Sequence, residues 1–191
     1  MQKLELFAGT IQEGMTVFDI GAHAGYYSLI ASRAVGRAGH VVAFEPLERN
    51  LTHLRRHVAL NHASNVKVHN VAVTNRRGVA RFDPGTESFM GKLAPEGTLE
   101  VRTVALDDLV AAGSVPSPNV MKLDIEGEES NALLGATNVL RDARPTIFLA
   151  THGTDVHDAC LSILRREGYV WRTISDGHRE MADELVAHPR T

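Results

Sequence analysis

Cysteine is nearly absent from this chain: one residue in 191, Cys160. A single thiol excludes an internal disulfide framework and any metal site built from several thiolates. It sits in "DACLSILRR", where apolar residues recur at helical spacing, so a buried core thiol is expected rather than a nucleophile. Long apolar runs are missing too, and no signal-peptide pattern opens the sequence. The expectation is a soluble, cytoplasmic protein with no membrane partner. The "NLT" stretch at Asn50–Thr52 matches a glycosylation acceptor but is incidental without a secretion signal. An excess of positive charge is also lacking. The net charge of −3 gives no broad field for phosphate backbones, which disfavours nucleic acid as a partner. Internal repeats are absent.

What is present is an ordinary globular composition, 43% hydrophobic and 23% charged, in a length that fits one domain over residues 1–191. Strand and helix patterns alternate. "TVFDI", "HVVAFE", "NVMKLDI" and "PTIFLAT" are continuous apolar runs of strand length. "YYSLIASRAVG", "LERNLTHLRRHVALN", "EESNALLGATNVLRDA" and "DVHDACLSILRREG" carry helical periodicity. "NVKVHNVAV", "GVARFD" and "EVRTVAL" read as further strands, and "YVWRTI" with "ELVAH" as a terminal pair. Continuous apolar strands alternating with helices predict an α/β fold, a parallel sheet covered on both faces. The one break in composition is Phe82–Glu100, rich in glycine, proline and small polar residues. It is expected to be an inserted loop over the active site.

In open α/β sheets ligands bind outside the carboxyl ends of the strands. Reading only those ends collects Asp19, Gly21 and Gly25 after the first strand, Glu45 after the second, Asp124 and Glu126 after "NVMKLDI", and His152 after "PTIFLAT". Gly21 permits a tight turn and close ligand approach, and "AGYYS" presents free backbone N–H groups. A carboxylate at Glu45, on the tip of the neighbouring strand, can accept two hydrogen bonds from a ribose diol. A dinucleotide site would want G-x-G-x-x-G; here the pattern is D-I-G-A-H-A-G. Asp19 would repel a pyrophosphate yet attract a cationic amino group. S-adenosylmethionine carries an amino group and a sulfonium but no phosphate, so the charge favours a methyl donor over NAD.

The segments "VFDIGAHAGYYSLIA", "VVAFEPLERNLTHLRRHVALN", "VKVHNVAVTNRRGVARF", "VALDDL", "VMKLDIEGEESNALLGA" and "RPTIFLATH", in this order and spacing, resemble the FkbM-type S-adenosylmethionine-dependent methyltransferases. The resemblance runs from Val17 to "GYVWRTI". It implies a class I methyltransferase (Rossmann-like) fold: a seven-stranded, mostly parallel sheet with helices on both faces and an antiparallel last strand. It also implies S-adenosyl-L-methionine as cofactor and O-methylation of a hydroxyl on a sugar, polyketide or other secondary metabolite. Carried over, Asp19, Gly21, His23 and Gly25 belong to the cofactor loop and Glu45 to the ribose contact. Asn50, Ala72 and Val73 lie near the adenosine, and Asp124 beside the methionine portion or the acceptor. The chain departs from the family pattern at His23, where asparagine is usual, and at Ala150, where glutamate is usual. The segment before the first strand is also short, and a homodimer would help cover it.

Deprotonating an alcohol for in-line methyl transfer calls for a positioned base. His152 titrates near neutrality and stands at a strand end; it is the first candidate, with Asp124 the second. Glu126 is expected to cap the following helix. Asp124, Glu126 and His152 have no spacing that demands a metal, and none is expected. Three other functions stay open: a donor-binding subunit without its own catalysis, a nucleic-acid methyltransferase, and a nicotinamide oxidoreductase. The second lacks an "NPPY" signature, and the third lacks both the glycine pattern and a substrate domain.

Overall fold

A computed structural model describes residues 3–85, 91–174 and 183–190. The chain opens with α1 (Lys3–Thr10), then alternates β1 (Thr16–Ile20), α2 (Tyr26–Val35), β2 (His40–Phe44), α3 (Glu48–Leu60) and β3 (Val66–His69). Four short strands follow: β4 (Ala72–Val73), β5 (Gly78–Asp83), β6 (Lys92–Leu93) and β7 (Leu99–Val104). The remainder runs α4 (Leu106–Ala111), β8 (Val120–Leu123), α5 (Glu129–Leu134), α6 (Thr137–Asp142), β9 (Thr146–Thr151), α7 (Thr154–Arg166), β10 (Tyr169–Thr173) and β11 (Asp183–Pro189).

The main sheet has seven strands in the order β10-β11-β9-β8-β1-β2-β3. All pairs from β9 to β3 are parallel, and only β11 runs antiparallel to its neighbours. This is the sheet expected from the sequence. Its central strands are buried along their whole length because alternate residues feed two cores. Phe18, Ile20, Met121, Leu123, Ile147 and Leu149 pack with the α5–α7 side. Val17, Val41, Val120 and Phe148 pack with α1 and α2. Order reverses beside β1: β2 lies on one side and β8 on the other. The carboxyl ends of these three strands therefore open the crevice in which such folds bind ligands.

Four expectations need correcting. "NVKVHNVAV" is not one strand: β4 leaves the main sheet and joins a second sheet, ordered β4-β7-β5-β6. The stretch 82–100 is not a structureless loop. Phe82 and Asp83 pair with Leu93 and Lys92 of β6, and Leu99 begins β7; residues 86–90 lie outside the described residues. The helix over "EESNALLGATNVLRDA" is two helices, broken at Gly135. A β-carbon on Gly135 would stand 2.2 Å from the Thr74 carbonyl oxygen, so the small sheet presses backbone to backbone against the helical layer there. Two helices were not foreseen, α1 and α4. α1 has a single fully buried side chain, Phe7, whose ring meets Tyr27 and Phe148 edge-on at 5.1 and 5.2 Å. That contact arises in three dimensions and has no sequence periodicity to announce it.

Cys160 is fully buried in the main core. Burial, reinforced by the charge of Glu129, pushes its thiol up to about 12, which suits the inert core residue expected. Among the described residues no helix is long and apolar enough to cross a membrane.

Gly135→Ala should lower stability by ~1–3 kcal/mol, the range for forcing atoms into a packed site. Gly9→Ala, in α1 with nothing within 4 Å, should be neutral or stabilising by up to ~1 kcal/mol. Urea midpoints of the two variants check both.

Candidate active site

The loop after β1 is built around two left-handed glycines, Gly21 (φ 80) and Gly25 (φ 91). A β-carbon on Gly21 would lie 2.0 Å from the Asp124 carbonyl oxygen, so only glycine lets β1 and β8 exits meet. Gly25 answers a different demand: a β-carbon there would strike Leu54 of α3 at 2.4 Å. It is the N-cap of α2 and supplies no side-chain cap. The first N–H groups of that helix therefore lack intrahelical acceptors directly after the loop. Between the glycines, His23 takes φ 50, a region that asparagine tolerates better than most residues.

Glu45 directly follows β2 and is 5% exposed. Its Oε2 accepts from the His23 N–H at 2.9 Å. Its Oε1 accepts from the Leu47 N–H at 3.0 Å and the Asn50 amide at 3.2 Å. These three donors hold the carboxylate in one orientation; both lone pairs of Oε1 are engaged, and Oε2 keeps one for a ligand hydroxyl. Burial raises its pKa above the usual carboxylate range, against the pull of those same donors.

Lys122, inside β8, is 3% exposed. Its ammonium donates to the Gly21 carbonyl at 2.9 Å and stands 3.6 Å from both Asp19 Oδ1 and Asp124 Oδ2. The register makes this unavoidable: Asp19 and Lys122 are directly paired across β1 and β8. Asp19 is fully buried, and its Oδ2 accepts from the Ser28 hydroxyl at 2.6 Å. The carboxylate read from sequence as open to a ligand's amino group thus faces Lys122 and Ser28. Asp124 remains partly accessible. Burial alone would raise its pKa, but Lys122, Lys3 and His152 outweigh that and lower it. The Lys122 ammonium also lies 5.4 Å from the Tyr27 ring centre, and burial pushes the Tyr27 phenol up to about 12.

His152 follows β9. Its Nε2 lies 3.7 Å from Asp124 Oδ1 and 3.5 Å from Glu126 Oε1. Burial would lower its pKa, but the hydrogen bond and charge of Glu129, with Glu126 and Asp124, raise it. Glu126 sits in a left-handed turn (φ 56) outside α5, which starts at Glu129. Burial raises its pKa, with Asp124 and Glu129 adding and His152 opposing. The helix-capping role expected for Glu126 is not seen: the side chain facing back to the Ile125 and Gly127 N–H groups is that of Glu129. Single ligand atoms of Asp124, Glu126 and His152 lie within 4.8 Å of one another, close enough for a divalent ion. The Lys122 ammonium supplies positive charge beside Asp124.

Two concavities meet at this point. The first, between the β1 and β2 exits, is lined by Gly21, His23, Glu45, Asn50, Ala72, Val73 and Asp124, with Phe82, Gly91 and Leu93 from the small sheet. The second is an open groove along the small sheet that reaches His152. Leu93, Glu126 and Glu128 border both. Of the residues singled out in the sequence, Asp19 and Gly25 stand behind the first wall, and the rest line one concavity or the other. Lys122 and Glu129 escaped notice. A lysine within an otherwise apolar strand, "VMKL", was the available signal for the first; nothing local marks Glu129 as a partner of His152.

The sequence pattern of the methyltransferase FkbM domain matches residues 19–171. A hexuronic acid methyltransferase, AglP of Haloferax volcanii, is 28% identical over 157 residues, 81% of this chain and 64% of that protein. Among solved structures, an FkbM methyltransferase from Methylobacillus flagellatus superposes with a TM-score of 0.66 at 20% identity, over 97% of this chain and 50% of that one. A SAM-dependent O-methyltransferase from Thermotoga maritima gives 0.65 at 13% identity, over 100% and 68%. The chain thus spans about two thirds of the length of AglP and half that of the first structure.

Lys122→Met should destabilise by ~3–5 kcal/mol, the cost of stranding buried carboxylates without their partner. Adding Asp19→Asn to that variant should recover part of the loss. Denaturant midpoints decide it: a lysine variant as stable as the parent would show that the pairing contributes nothing.

Proposed function

The chain belongs to the FkbM methyltransferase family, and on that footing we propose that it methylates a hydroxyl of a small sugar-like or related metabolite, with S-adenosylmethionine as donor. One observation carries this reading: the concavity containing Gly21, Glu45, Asn50 and Asp124 shares Leu93, Glu126 and Glu128 with the groove that reaches His152. The donor set fits the cofactor. A constrained carboxylate faces the cavity with one Oε2 lone pair left for a ribose hydroxyl, apolar Phe44, Val71 and Val73 offer faces for a purine, and among the described residues no lysine or arginine lines the pocket. Asp124, held ionised by its neighbours, suits an ammonium group, the role expected from sequence for Asp19.

S-adenosylmethionine supplies a methyl group on a sulfonium, whose carbon–sulfur bond breaks as the acceptor oxygen takes the methyl. The protein's part is to place the acceptor and remove its proton. His152 Nε2 takes that proton, and Asp124 and Glu126 stabilise the imidazolium that results. The family and the sugar-acid specificity of the Haloferax relative support a carbohydrate acceptor. Among the described residues the groove carries Asp83, Glu126 and Glu128 against Lys92 and His152, a balance that argues against a nucleic-acid acceptor.

Calorimetric titration should show micromolar binding of S-adenosylhomocysteine and none of NADH. Glu45→Ala should weaken that binding by ~10–100-fold, the worth of hydrogen bonds to a charged acceptor. A preference for NADH would sink the reading. Because the Glu45 pKa is raised, protonation should begin to cost affinity at a pH above the ordinary carboxylate range as the solution is acidified. The Glu45→Gln variant should lose this pH dependence.

A further inference from the structure

Glu129 has no exposed surface and opens α5, yet proton removal by His152 does not by itself require it. Its carboxylate accepts from the Ile125 N–H at 3.1 Å. The Gly127 N–H reaches both oxygens, at 3.2 and 3.1 Å. Those contacts fix the carboxylate against the loop that carries Asp124 and Glu126. The same Oε1 lies 2.9 Å from His152 Nδ1.

We propose that Glu129 is the positioning residue for His152, keeping the imidazole proton on Nδ1 and turning the Nε2 lone pair toward the acceptor groove. This rests on the reading of His152 as the base. Backbone N–H groups can only donate, so the Glu129 oxygens act as acceptors and the imidazole must donate from Nδ1. In the neutral ring that leaves Nε2 without a proton. Among the described residues Nε2 has no short partner: its nearest carboxylate oxygens, on Glu126 and Asp124, are 3.5 and 3.7 Å away. It is therefore free to accept a hydroxyl proton, and those carboxylates, with Glu129, face the positive charge that follows. A base whose tautomer is fixed by a buried carboxylate loses little to misorientation at the moment of transfer.

The groups that set this charge come from several elements. Asp124 and Glu126 lie on the β8–α5 loop, Glu129 on α5 and Lys122 on β8 beside Asp124. Lys92 of β6 shares the groove with His152, Lys3 of α1 acts on Asp124, and His157 of α7 lies against Thr151. Glu129→Gln removes one negative charge from contact with the ring and leaves the others. The imidazolium loses stabilisation, so its midpoint moves to lower pH. A merely structural Glu129, tying the loop alone, would leave midpoint and tautomer unchanged.

The test is nitrogen NMR of histidine-labelled protein, with and without S-adenosylhomocysteine, using His152→Gln to assign the signal. In the parent protein neutral His152 should carry its proton on Nδ1. Glu129→Gln should lower the titration midpoint and mix in the Nε2–H tautomer. Once an acceptor is turning over, the same variant should shift the acid limb of kcat to lower pH and reduce kcat, with the donor KM unchanged. An Nε2–H tautomer in the parent, or a midpoint that does not move in the variant, overturns the assignment. The parent's tautomer is informative even if the variant fails to fold. Donor binding is titrated in the same samples, so failure of the methyl-transfer reading shows as lost binding and failure of the Glu129 assignment as the wrong tautomer.

Discussion

The buried ammonium of Lys122, shared between Asp19 and Asp124, is the interaction on which the site depends. It joins the two central strands at their carboxyl ends, fastens the Gly21 carbonyl, and makes it tolerable to keep a fully buried carboxylate at Asp19. Uncompensated, that charge would cost several kcal/mol. With the lysine in place, the loop after β1 can turn sharply at Gly21 and leave Asp124 ionised at the cavity wall. Asp19 thus becomes part of the support, and the aspartate that meets the cavity is the one across the strand pair.

The main sheet provides the floor, and the small sheet β4-β7-β5-β6 provides the opposite wall. Phe82 and Leu93 enclose the donor-side cavity while Lys92 and Pro95 line the groove. The small sheet is anchored to the helical layer where Gly135 meets Thr74 backbone to backbone. A side chain at that glycine would push the wall outward, which links the break between α5 and α6 to the width of the site. The packing of a helix boundary and the shape of a binding cavity are here one constraint.

Much of this was legible in the residues. The run "DIGAHAGYYS" announced the turn at Gly21, and "VVAFE" placed Glu45 at the neighbouring strand tip, because strand alternation and glycine chemistry are local signals. The long segment 82–100 was read as a loop because β6 is two residues long, too short to show any period. The single helix read over 128–143 failed for a related reason: apolar spacing continues through Gly135, and only the contact with Thr74 shows why the chain breaks there. Asp19 was given a ligand's ammonium as partner when Lys122 was available seven strands later in the chain. Pair identities across a parallel sheet depend on register, which no window of sequence contains.

By itself the sequence determined the parallel α/β sheet, the edge at which such folds bind ligands, and most of the polar residues on that edge; the antiparallel last strand was implied by the family resemblance. The sheet, the edge and its residues follow from hydrophobic period, from glycine's access to positive φ and from the rule that ligands sit at strand carboxyl ends. Only the tertiary structure decided which acid faces the cavity and which is buried, that a second sheet walls the site, and that Glu129 holds His152. Each of these rests on contacts between residues far apart in the chain. Lys122 reaches Gly21 across 101 positions, and His152 reaches Glu129 across 23. Such meetings are set by strand register and helix packing, which become definite only when the whole core closes.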